Sequence, residues 1–255
     1  VILVEDRDRL LLVAQPAHAA LSGQVAAAWD FAGLPAVAED ARAAVVLGIA
    51  LHDLSWIGFE AAPSLNAATG LPHGFRELPA GRQAARWAAS VDQAGAFGPW
   101  PALLVSRHGV RIYGTFFRRD RAEASDIAAV DAFLAAEEAR FPALRAAAGA
   151  TADAARQADL LTGACDWLSL LFCGDPMRTP RVPHVPLAGG VGEVEVRLAG
   201  AEGTITPWPF AQPTVALSVP ARALPAGTRF ADEGAMRAGL AGAEPVTLRW
   251  TLRRE

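Results

Sequence analysis

The sequence predicts a mainly α protein, a helical bundle preceded by a β-hairpin and followed by a small α+β region. Three observations carry that reading. Apolar residues recur at helical spacing through most of the stretch 16–174. Alanine, the best helix former, supplies more than a fifth of the chain. After Asp175 the pattern breaks, and Pro176, Pro180, Pro183 and Pro186 are followed by short alternating segments.

Taken in order, residues 1–5 and 10–14 flank a charged turn and read as a hairpin. Helical spacing follows over 17–29, 39–52, 82–94, 100–108, 125–148 and 151–173. Between the second and third helices, 60–79 is rich in Pro, Gly and Asn, an irregular loop of a length often used for function. The prolines of 175–186 read as a linker, and 193–198, 204–206, 214–219 and 246–252 as short strands. One further helix, near 232–241, starts at Asp232 as N-cap. The expected organisation is a helical domain with its hairpin over 1–174 and a small β-rich region over 175–255 packed on it.

Composition narrows the function. The chain is 52% apolar, which excludes disorder as its general state, and 27 acidic against 23 basic residues leave a net charge of −4. No nucleic acid or membrane partner is expected, and a small-molecule substrate becomes the default. All 23 basic residues are arginine. The absence of lysine excludes Schiff-base chemistry and a lysine-bearing phosphate loop. No run of about 18 apolar residues appears, and Glu5 to Arg9 are charged where a signal peptide is hydrophobic, so a cytoplasmic location is expected. Cys165 and Cys173 lie eight positions apart on one helix, roughly 12 Å, beyond disulfide reach.

The chemistry centres on polar residues inside apolar helices. Asp166 stands in a segment, 160–173, that is apolar on nearly every face; a buried carboxylate there requires a cation, a metal or several hydrogen bonds. His52 and Asp53 end another apolar helix, His108 closes a third apolar run, and His18 lies in the first turn of the first helix. Imidazole with carboxylate suits divalent transition metals, and bundle metal sites draw ligands from facing helices. Arg107, Arg111, Arg118, Arg119 and Arg121, with Tyr113, Phe116 and Phe117 between them, offer either a phosphate-gripping wall or a solvated charged face. Trp56 is either a substrate platform or a core aromatic. Ser22 lies one turn from His18, but no G-x-S-x-G elbow accompanies it, and His73 and His184 read as exposed loop histidines.

The order His18, His52-Asp53, Asp166 resembles the H…HD…D signature of the HD-domain metal-dependent phosphohydrolases, with His108 where binuclear members supply extra histidines. That resemblance implies an HD-like bundle holding a divalent metal (Fe, Mn, Zn, Ni or Co) on His18, His52, Asp53 and Asp166. It also implies hydrolysis of a phosphate ester or nucleotide-like molecule, with His108 and Asp53 in catalysis and Arg107, Arg111 and Trp56 toward substrate. One extra histidine is fewer than a full two-metal site uses. The competing class is a non-catalytic binding or sensor protein whose site is degenerate. Over nearly the whole chain, Gln15-Pro16-Ala17-His18, Leu51-His52-Asp53-Leu54-Ser55-Trp56, Leu104 to Gly109, Asp166 to Leu170 and Pro207-Trp208-Pro209-Phe210 are similar to segments of the bacterial domain-of-unknown-function family 3891.

Overall fold

The computed structural model describes residues 1–255. The chain opens with the expected hairpin, β1 (Ile2–Asp6) and β2 (Arg9–Val13), paired antiparallel. A helical stretch follows: α1 (Gln15–Ala28), α2 (Arg42–Ala50), the short α3 (Trp56–Ala61), α4 (Ala80–Gly95), α5 (Pro99–Phe116), α6 (Ala124–Ala147) and α7 (Ala152–Phe172). A two-stranded ribbon, β3 (Leu65–Asn66) and β4 (Leu71–Pro72), lies inside the region expected to be an irregular loop. Pro16 and Pro99 occupy the first turns of α1 and α5, where a missing N–H costs nothing. The Thr151 hydroxyl caps α7 by accepting from Ala154 N–H at 3.1 Å.

Helix α5 continues eight residues past His108. Gly109 is not a terminator but a point of close approach: a Cβ there would lie 2.8 Å from the Phe133 ring of α6. The extension puts Arg111 and Tyr113 on the same helix as His108.

The expectation of a mainly α bundle is corrected by the rest of the chain. Strands β5 (Arg181–Leu187), β6 (Gly190–Ala199), β7 (Glu202–Thr206), β8 (Thr214–Pro225) and β9 (Glu244–Arg253), with α8 (Glu233–Ala241) between the last two, join the hairpin in one seven-stranded sheet. Its order is β1-β2-β8-β9-β7-β6-β5, curled into a half-barrel, mixed because β7 and β9 run parallel. With 49% helix and 24% strand the protein is α+β, a helical layer on a sheet.

Prolines hid the sheet. Pro183 and Pro186 lie in β5, an edge strand, where a missing N–H breaks no ladder. A register shift between Val182 and Val185, with His184 at φ +59°, marks a bulge there. Pro220 sits inside the twelve-residue β8. Ser218, two residues earlier, turns its N–H and C=O away from β9 to the Gln24 side chain of α1, at 3.0 and 2.8 Å. Pro220 faces the same way, beyond the end of the β2 pairing, so no ladder hydrogen bond is lost there.

One core of 36 residues runs through both layers, joining Leu21 and Val25 of α1 and Leu161 and Leu168 of α7 to Val194, Ile205, Leu217, Val219 and Leu252 of the sheet. Helix α1 packs on β8 and α7 on β5, so the sheet seats two of the helices that carry the site.

Candidate metal centre

Helix α1 supplies His18, the turn after α2 supplies His52 and Asp53, α5 supplies His108 and α7 supplies Asp166. All five are at most 6% exposed. The Ser169 hydroxyl of α7 donates to the Asp166 carbonyl at 2.9 Å, and Ser22 donates to Ser169 Oγ at 2.8 Å. Ser169 Oγ and His18 Nδ1 are hydrogen-bonded at 2.9 Å. His18 Nε2 faces Asp53 Oδ2 at 2.8 Å, a contact that an Nε2–H donor makes in the metal-free protein and that a cation held by both atoms would replace.

His52 repeats the pattern. Its Nδ1–H donates to the Ile49 carbonyl at 2.8 Å, which leaves Nε2 bare in the neutral ring. Nε2 is buried without a hydrogen-bond partner, 3.5 Å from Asp166 Oδ1 and 3.8 Å from Asp53 Oδ2. Two overlapping triads share this ring, His18/His52/Asp53 and His52/His108/Asp166, each with its ligand atoms within 4.8 Å of one another.

His108 differs. Its Nδ1 accepts from Arg111 Nη2 at 2.8 Å, and Arg111 is held in turn by the backbone oxygen and Oδ1 of Asp159, both at 2.5 Å. Neutral His108 therefore keeps its proton on Nε2 and offers a donor, not a lone pair. Burial, reinforced by the neighbouring His52, pushes its pKa well below the usual histidine value, so it stays neutral.

Charge follows the same logic. Burial disfavours ionisation of Asp166, but the protonated His52 imidazole, by hydrogen bonding and charge, outweighs it and holds the carboxyl below its ordinary range. For His52, burial works against the charged form, yet Asp53 and Asp166 prevail and raise its pKa. In the metal-free protein a proton on His52 supplies the positive charge that the two carboxylates require.

A divalent metal must displace the protons that face the carboxylates, so its binding is expected to tighten as pH rises through the raised His52 titration, and calorimetry should show protons released as metal binds. Affinity independent of pH, with no proton released, would contradict this arrangement. The donor set of two imidazole lone pairs and two buried carboxylates fits a divalent transition metal.

The cluster opens on a cavity of about 50 Å³ lined by Gln15, Trp56, His108, Asp166 and Arg178 among others. The structure thus brings together His18, His52, Asp53, His108 and Asp166, with Trp56 at the cavity wall. Arg107 turns away to α6, where it bonds Glu138 at 2.8 Å and covers the Phe141 ring at 4.8 Å. Arg111 stands behind His108. Arg118 and Arg119 are exposed and spent on Asp120 and Asp131, so no arginine wall faces the cavity.

Two residues escaped the sequence reading. Ser169 gave no signal apart from being a polar residue in an apolar helix. Arg178 lay among prolines read as a linker. Gly174, at φ +79°, ends α7 in the left-handed conformation that glycine tolerates, and the chain reverses so that Arg178 returns over Asp166.

A helical layer seated on a curled mixed sheet, with a buried His/Asp cluster where four helical segments converge, defines an α+β protein with a candidate metal centre. The chain belongs to the family described as protein of unknown function DUF3891, whose sequence model matches residues 1–226. No curated protein and no solved structure matches it. No helix is long and apolar enough to cross a membrane.

Proposed function

We propose that the protein is a metal-dependent hydrolase acting on a phosphate ester, with an HD-like ligand set of His18, His52, Asp53 and Asp166. The observation that supports it most is the fully buried Nε2 of His52, which has no hydrogen-bond partner and faces two carboxylates. A divalent cation there supplies Lewis-acid chemistry, acidifying water and polarising a phosphoryl oxygen.

The chain's own residues do the rest. Ser169 and the Ile49 carbonyl anchor the Nδ1 atoms of the two imidazoles, so that their Nε2 atoms face the centre. Asp53, at the cavity wall, takes a proton from the attacking water. Water oxygen bonds to phosphorus, the ester P–O bond breaks, and the leaving oxygen takes the proton that Asp53 received. His108, neutral with its proton on Nε2, donates a hydrogen bond to a substrate oxygen. Arg111 and Asp159 act through His108 by fixing that tautomer.

Chelator-treated protein should show no turnover, and added Mn, Fe, Co, Ni or Zn should restore it on at least one member of a panel of phosphomonoesters, nucleotides and cyclic dinucleotides. Hydrolysis that survives Asp166→Ala would remove the mechanism. Metal uptake without turnover on any ester is the outcome expected of a non-catalytic binding or sensor protein.

A further inference from the structure

Arg178 is a buried cation near two carboxylates but hydrogen-bonded to neither. Its side chain is 7% exposed, and its nearest carboxylate oxygens, Asp166 Oδ2 and Asp175 Oδ2, both lie at 3.7 Å, outside hydrogen-bond range. Its Nε is buried without a partner. A buried guanidinium in that state is costly unless an acceptor arrives.

The surroundings keep it free and fixed. Asp175, buried beside it, is taken by Arg76 in a two-pronged pair at 2.9 and 2.5 Å. Trp167 lies 4.5 Å and Phe116 5.1 Å from the guanidinium carbon, so two aromatic rings orient the guanidinium plane. Arg178 lines the same cavity as His18, Asp53, His108 and Asp166.

We propose that Arg178 is the anion-recognition residue of this site, and that the group it receives is a terminal phosphoryl group. The inference rests on the hydrolase reading and narrows its substrate class. Charge bookkeeping favours an anion: Asp53 and Asp166 balance a divalent cation, Arg76 and Asp175 cancel each other, and Arg178 remains as surplus positive charge. Geometry favours a terminus: the cavity is small, about 50 Å³, and Arg178 and the His/Asp cluster line it together, so a phosphoryl group entering end-on meets both. The guanidinium fork matches two oxygens of one phosphoryl group, leaving another for the His/Asp cluster.

The test is calorimetric titration of metal-loaded protein with inorganic phosphate, beside turnover of a phosphomonoester and its matching diester. Arg178→Met should weaken phosphate binding about 10- to 100-fold, the worth of charge-assisted hydrogen bonds, and leave metal content unchanged. Arg178→Lys keeps the charge, guards against a folding defect in Arg178→Met, and should fall between that variant and wild type. Wild type should favour the monoester over the diester. Phosphate binding unchanged in Arg178→Met, no phosphate binding by metal-loaded wild type, or preference for the diester would each overturn the assignment. Phosphate bound through Arg178 with no ester hydrolysed would support the assignment and remove the hydrolase.

Discussion

Replacing His52 with alanine is expected to abolish metal binding and to destabilise the metal-free fold at once. His52 is the ring shared by both ligand triads. Losing residues that merely orient metal ligands costs about 10- to 100-fold in affinity, so losing the shared ligand should cost at least the upper end of that range. Without metal, the same change leaves Asp53 and Asp166 buried with their bridging cation gone, a loss of about 3–5 kcal/mol for a broken buried pair. Urea denaturation of metal-free wild type and His52→Ala measures the second effect, and calorimetry the first. A variant that melts like wild type and binds metal normally would show that His52 neither ligates the metal nor holds the two carboxylates.

Deleting residues 188–255 should be more severe still, giving insoluble or protease-labile protein. The deletion removes β6 to β9, and with them β8, which pairs with the N-terminal hairpin and bonds Gln24 of α1. Val194, Val196, Ile205, Val215, Leu217, Val219 and Leu252 leave the core that also holds α1 and α7. At about 1.5–3 kcal/mol for each buried aliphatic side chain, their loss is comparable to or larger than the ~5–15 kcal/mol that separates folded from unfolded domains. The expected readout is loss of a cooperative thermal transition together with loss of metal binding. A soluble, cooperatively melting fragment 1–187 would contradict the shared core.

The helices were legible because their signal is local. Apolar spacing and end residues such as Asp232 placed them, although the helix read over 100–108 runs on to Phe116. The sheet was not legible because its pairing is nonlocal: nothing within residues 9–12 announces a partner at 222–225. Its prolines imitate a linker, and only the fold shows that Pro183 and Pro186 lie on an edge and that Pro220 faces no strand. In the site, buried polar residues in apolar helices stood out against their neighbours, so His18, His52, Asp53, His108 and Asp166 were read from the sequence and lie together. Arg178 and the division of labour among the histidines depend on which atom faces which, and Arg107 could not be separated from Arg178 by residue type.

The account turns on whether His18, His52, Asp53 and Asp166 hold a metal, and elemental analysis of protein purified without chelator measures it most directly. Because His108 presents a proton where a second centre needs a lone pair, about one equivalent of Fe, Mn, Zn, Ni or Co per chain is expected, falling to background in His52→Ala. Less than about a tenth of an equivalent, with no rise in melting temperature when these metals are added, would contradict it.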